Sequence, residues 1–294
     1  MKDKERAVKT ARKSHLAATI FAVLVMISGV CLLMYPIVMQ YRSAHVQEMR
    51  VGDYDSTVLS MQQQQRNDLL ARAQDYNTRL RLGQTPVSNL DDNSFEQDTD
   101  YMSQLSVGGM VGSISIPKIS VVLPIYHGTS SATLSAGVGH LYGSSLPIGG
   151  KGTNSVLAGH RGLPNALIFT RLDELGAGDT FSITVLGETH TYQVDATWVV
   201  EPDDTSHFTI DSSQDYVTLL TCTPYGVNTQ RLLVRGVRVT VPVAAQKDTG
   251  VYPVGVYSMM IAAIVAVIGI VIISLWRRRT ELSHANQLHA AHRG

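Results

Sequence analysis

Three side chains in this chain have the chemistry for acyl transfer through a thioester: the thiol of Cys222, the imidazole of His160 and the guanidinium of Arg231. Cys222 ends an apolar run in Thr221-Cys222-Thr223-Pro224, and the only other cysteine, Cys31, lies inside a long apolar segment near the N-terminus. A thiol without a partner in a region that faces outward points to reactivity rather than to a disulfide. The attacking species is the thiolate, and a free thiol titrates near ~8.5, so a neighbouring histidine is needed to take the proton and later hand it to a leaving amine. Arginine keeps its charge at any working pH, and its fork of donors can hold a carbonyl oxygen as negative charge develops.

The elements that must position these groups are strands. Cys222 closes Tyr216-Val217-Thr218-Leu219-Leu220, and Arg231 opens the next run after Pro224-Tyr225-Gly226-Val227-Asn228. That connection is rich in turn formers, so the two strands are expected to pair antiparallel with thiol and guanidinium at one end of the sheet. Arg235, an even number of residues farther along the same strand, is the competing arginine. His160 follows Ser155-Val156-Leu157-Ala158-Gly159, a strand ending in small residues, and is the histidine chosen; His127 and His140 stand in comparably Gly-rich surroundings.

Two apolar segments, about 16–39 and 257–276, lack Asp, Glu, Lys and Arg. Each is near the ~20 residues a helix needs to cross a hydrocarbon core. Lys2, Lys4, Arg6, Lys9, Arg12 and Lys13 precede the first, and Arg277, Arg278 and Arg279 follow the second. The positive-inside rule then places both termini in the cytoplasm and the intervening region outside a two-pass cell membrane protein. A cleaved signal peptide is the alternative for the first segment, but it is longer than the usual ~7–15-residue apolar core. The expected organisation is a basic cytoplasmic N-terminus (1–15), a membrane helix (16–39), a helical stalk with a loop (40–106), a β domain (107–245), a linker (246–256), a second membrane helix (257–276) and a cytoplasmic tail (277–294).

Residues 53–82 are polar and helix-prone, with an irregular apolar stripe at Leu59, Leu69, Leu70, Ala73, Tyr76 and Leu80. Gly83-Gln84-Thr85-Pro86 ends that pattern, and residues 87–100 form an acidic loop. After Gly108 short β-branched runs alternate with Gly, Pro, Asn and Asp, which argues for an all-β sandwich or barrel with one short helix around 165–175. The outer region has mixed charge with no basic stripe, which excludes the usual nucleic-acid binders. Its histidines lack metal-ligand spacing and no phosphate-cradling Gly loop occurs, so no metal or other cofactor is expected. The adjacent carboxylates Asp173 and Glu174 read as a solvated helix end.

Thr218-Leu219-Leu220-Thr221-Cys222 matches the TLxTC signature of sortases, and Gly159-His160-Arg161-Gly162 and Asn228-Thr229-Gln230-Arg231 resemble the segments bearing their histidine and arginine. The similarity runs from about Val107 to Val241 and includes Ile116-Pro117-Lys118-Ile119 and Tyr126-His127-Gly128-Thr129. With the second apolar segment and the helical N-terminal extension, the chain resembles class C sortases, which polymerise pilins on Gram-positive surfaces. The resemblance implies a closed eight-stranded β-barrel, preceded by a helical and lid-like segment and flanked by two transmembrane helices. It implies His160, Cys222 and Arg231 as the catalytic set, acting on LPxTG-bearing pilin or surface proteins, with a lysine amine on the next pilin as acceptor. Class C lids often carry Asp-Pro-aromatic; here Leu90-Asp91-Asp92-Asn93-Ser94-Phe95 has no proline, and Asp92 and Phe95 are the lid candidates. The competing functions are anchoring of surface proteins to cell-wall peptide and a non-catalytic membrane-anchored β scaffold.

Overall fold

The computed structural model describes residues 2–84 and 93–240, with the isolated positions 264 and 269. Asp92 and, apart from those two positions, the second apolar segment therefore lie outside the described residues. The chain divides into two compact units, one of residues 1–37 with 251–294 and one of residues 38–250.

In the first unit runs the N-terminal part of α1 (Lys2–Ser60), which contains Pro36. Its stretch from Ile20 is long and apolar enough to cross a membrane, and the most apolar part of that stretch is not buried.

The second unit is built on a closed barrel of eight strands: β1 (Gly112–Ile116), β2 (Val121–His127), β3 (Val138–His140), β4 (Thr153–Ala158), β5 (Thr180–Val185), β6 (Glu188–Val200), β7 (Asp215–Thr223) and β8 (Gln230–Val239). Their order around the barrel is β1-β2-β3-β4-β7-β8-β6-β5. Two neighbouring pairs, β2–β3 and β4–β7, run parallel and the others antiparallel. Closure removes the edge strands that an open sheet would leave unpaired.

Alternation along the strands fills the interior with Ile114, Ile116, Leu123, Ile125, Phe181, Ile183, Leu219 and Val234, all nearly or fully buried. On β4, β7 and β8 several of the intervening residues are apolar as well, interspersed with Asn154, Thr218, Arg231 and Arg235. Val156, Ala158, Leu220 and Leu233 form a second, smaller core with Val200 and with Phe208 from the β6–β7 connection. These strands are thus covered on both faces, which explains their apolar runs.

Before the barrel, α2 (Gln63–Arg79) buries Ala73, Tyr76 and Asn77. The Asn77 side chain donates to the Leu146 carbonyl (3.1 Å) and accepts from the Leu146 N–H (2.7 Å). Gly83, at φ 78, ends the helical stretch, since this left-handed backbone suits a residue without a β-carbon. Next come the 3₁₀ turn Asn93–Gln97 and the short α3 (Thr99–Ser103), which Asp98 caps by accepting from the Tyr101 N–H. A further short helix, α4 (Ser131–Ala136), joins β2 to β3.

Two sequence expectations change. Within the expected 87–100 loop, Asn93–Gln97 is a 3₁₀ turn and α3 begins at Thr99. Residues 165–175 do not form an α-helix; the segment is a loop with a single 3₁₀ turn, Leu172–Glu174. Ala166, Phe169, Leu172 and Leu175 give it an apolar periodicity, but they anchor the loop onto the barrel core instead.

Candidate active site

Strand register brings the predicted nucleophile and arginine together. Cys222 on β7 stands directly opposite Arg231 on β8, and Arg231 stands opposite Val200 on β6. Residues that face each other across a ladder project from the same side of the sheet. The row one step below is Trp198, Leu233, Leu220 and Ala158, again matched strand by strand. Three of these belong to the smaller core, with Trp198 packed against it, so the reactive row lies on the outer face of the barrel above an apolar floor.

His160 lies two residues beyond Ala158, the partner of Leu220, as Cys222 lies two beyond Leu220. The backbone continues the alignment past the strand end: Gly159 N–H donates to the Leu220 carbonyl (3.0 Å), and Thr221 Oγ1 donates to the Gly159 carbonyl (2.7 Å). The His160 carbonyl accepts from Phe169 N–H (3.1 Å), so the following loop holds the histidine segment from its other side. Half-burial holds the His160 imidazole below its ordinary pKa, because removal from water disfavours the charged form.

The two arginine candidates differ in what holds them. Arg235 is engaged by Asp195 (2.7 and 3.1 Å) and lies over the rings of Tyr216 (4.1 Å) and Trp198 (5.0 Å). Arg231 Nη1 donates only to carbonyls of its own turn, those of Gln230 (3.2 Å) and Asn228 (3.4 Å). Its Nε is buried with no partner among the described residues. A guanidinium has five N–H donors, so Arg231 keeps donors in hand beside the thiol, whereas Arg235 is tied into the wall.

Two other histidines, His127 and His140, are held by hydrogen bonds within the fold. His127 bonds through Nε2 to the Gln104 carbonyl (2.8 Å), and His140, fully buried, lies between Tyr101 Oη (2.8 Å, at Nδ1) and the Ser145 carbonyl (2.8 Å, at Nε2). Ser144 and Ser145 serve this buried network and the adjacent strand, their hydroxyls accepting from Val156 and Asn154 N–H.

Of the two lid candidates only Phe95 is described. It is buried, edge-on to Tyr101, with its ring against Gly128. It lines a cavity of about 370 Å³ with Tyr126, His127 and Thr133, whose wall includes none of Cys222, His160 and Arg231.

Sequence reasoning missed the roles of the carboxylates at 173 and 174. They sit at an exposed 3₁₀ end, as expected, but Asp173 also pairs with Arg161 and Glu174 with Arg171 (2.7 Å). A residue one step from a candidate histidine and a carboxylate in the following loop carry no spacing signal that would predict their contact.

Comparison with known proteins agrees with this geometry. A Sortase domain signature matches residues 114–239. The structure of sortase C1 from Streptococcus agalactiae is 46% identical, with TM-score 0.61, the match covering 66% of this chain and all of that one. Sortase C1 of GBS Pilus Island 1 is 37% identical, with TM-score 0.62, covering 69% of this chain and 97% of that one. Among curated proteins, sortase D of Bacillus subtilis is 35% identical over 136 residues, which are 45% of this chain and 66% of the relative, so the match spans just under two thirds of that protein. The chain belongs to the sortase family of cysteine transpeptidases and, by its structural neighbours, to class C.

Proposed function

We propose that this protein is a membrane-anchored transpeptidase that cleaves an LPxTG-like sorting signal and joins the acyl group to a lysine amine of another pilin. The observation that carries the reading is the outward row Val200–Arg231–Cys222, with His160 aligned beyond Ala158 on the neighbouring strand. The Cys222 thiolate attacks the carbonyl carbon of the signal threonine. As the oxygen gains charge, the uncommitted donors of Arg231 hold it, a contribution on the order of 10²–10³ in rate for a single such donor. His160 protonates the departing glycine amine as the C–N bond breaks, leaving the acyl group as a thioester on Sγ. A lysine amine, deprotonated by His160, then attacks the thioester; the C–S bond breaks, an isopeptide bond forms and the thiolate is restored.

The apolar row beneath the site, with exposed Val199, Tyr225 and Val227 near it in sequence, suits a substrate whose leucine and proline are apolar. The pilin substrate is supported by the class C likeness and by the association of one neighbour with a pilus island. Basic residues before the first apolar segment and after the second support a two-pass anchor with the catalytic unit outside.

The test is intact-mass spectrometry of the full chain after incubation with an LPxTG peptide. A mass increase matching the acyl fragment, absent in Cys222→Ala, is the expected result. A lysine-bearing pilin peptide should discharge it, and discharge only by cell-wall peptide would assign the anchoring reaction instead.

A further inference from the structure

Arg161 follows His160 in the chain, yet its side chain is only 7% exposed. Its guanidinium is held at four points. Nη1 donates to Thr223 Oγ1 (3.0 Å), Nε to the Thr170 carbonyl (3.3 Å) and Nη2 to the Asp173 carboxylate, while the ring of Tyr225 lies 5.9 Å away. Its one carboxylate partner is itself half exposed. Burying a guanidinium is costly unless its donors are met, so a merely space-filling role would favour an apolar side chain here.

The positions of these contacts suggest a use. The β4–β7 ladder ends at Ala158 and Leu220. Beyond it two side-chain links join the two segments: Thr221 to Gly159 (2.7 Å), and Arg161 to Thr223 (3.0 Å). His160 lies between Gly159 and Arg161, and Cys222 between Thr221 and Thr223. Base and nucleophile are therefore bracketed by a tie on each side. The outer tie is made by a side chain whose other donors fix it to the loop after His160, at Thr170 and Asp173.

We propose that Arg161 is a positioning residue for acyl transfer, its bridge to Thr223 setting the separation of His160 from Cys222. The inference rests on the assignment of those two residues as base and nucleophile. A misplacement of about 1 Å between reacting groups can cost on the order of 100-fold in rate without altering substrate binding. The Arg161 bridge therefore acts on kcat and leaves KM in place.

The experiment is steady-state transpeptidation by the full chain with a sorting-signal peptide, using Arg161→Met, Arg161→Lys, Thr223→Val and the Arg161→Met/Thr223→Val double variant. Arg161→Met and Thr223→Val should each lower kcat by about 10–100-fold with KM within about twofold of wild type. The double variant should be no slower than Arg161→Met, because both changes cut the same bridge. Arg161→Lys, which keeps the charge without the fork, should recover part of the loss. A kcat within twofold of wild type in Thr223→Val or Arg161→Met, a loss confined to KM, or losses that multiply in the double variant would each overturn the proposal. Should Arg161→Met fail to fold, Thr223→Val decides it alone, since that change leaves the guanidinium with Asp173 and Thr170. A wild-type chain that forms no acyl adduct at Cys222 would instead remove the parent assignment, and the inference with it.

Discussion

The phenol of Tyr101 meets Nδ1 of His140 at 2.8 Å, and both side chains are fully buried. This contact links the segment that precedes the barrel to β3. Tyr101 Oη also accepts from the Gly128 N–H (3.1 Å), and its ring stands edge-on to His127. Asp98, which caps α3, accepts from Tyr142 Oη (2.8 Å) on the far side of β3. With His140 donating from Nε2 to the Ser145 carbonyl, Nδ1 of the neutral ring is the acceptor for Tyr101.

The network makes stability depend on pH. Burial pushes the His140 imidazole down to about 4, with the neighbouring His127 adding to the effect. The folded state therefore binds fewer protons than the unfolded chain between these values. The stabilisation is complete above the unfolded pKa of about 6.5 and is lost as pH falls toward 4, by at most roughly 3 kcal/mol. Urea unfolding at pH 7.5 and 4.5 should show this loss, and His140→Gln should flatten it. An equal pH dependence in both proteins would remove the histidine from the account.

Arg231 and Arg235 should separate cleanly on substitution. Arg231→Ala is expected to reduce acyl-adduct formation by about 10²–10³-fold with little change in thermal stability. Arg235→Ala loses the Asp195 pair and two ring contacts and should cost about 1 kcal/mol in stability, with activity within a few-fold of wild type. The reverse pattern would exchange their roles.

Phe95 gives a third comparison. A β-carbon on Gly128 would lie 2.2 Å from the Phe95 ring, and Gly128 has φ +69. Gly128→Ala should therefore expel the ring and destabilise the fold, and Phe95→Ala should cost about 3 kcal/mol by leaving a cavity. The rate of Cys222 alkylation is expected to stay within twofold of wild type in Phe95→Ala, because the ring packs on the β2 side of the barrel. A large increase would give this segment the role of a lid over the thiol.

Much of the site could be read from one dimension. Cys222 and Arg231 flank a short turn-rich connection, and a hairpin must bring its two strand ends together whatever surrounds it. The choice of Cys222 rested on its being unpaired, and the barrel rested on many short β-branched runs broken by turn formers. Local sequence also marked the end of α2, because Gly83 can take the left-handed backbone that other residues resist.

Only the tertiary structure separated residues of equal local appearance. His127, His140 and His160 all follow or precede glycine, yet packing buries the first two against Gln104, Tyr101 and Ser145 and leaves the third half-buried, two residues past the end of β4. Arg231 and Arg235 share a face of β8, and what distinguishes them is Asp195 on β6 and the ring of Tyr216 on β7. The pairing of Asp173 with Arg161 is likewise made by a loop that folds back onto the barrel. Sequence determines which groups are present and which neighbours along the chain must meet. Which donors remain free, and which charges are already satisfied, depends on contacts between distant segments, and those exist only once the barrel closes.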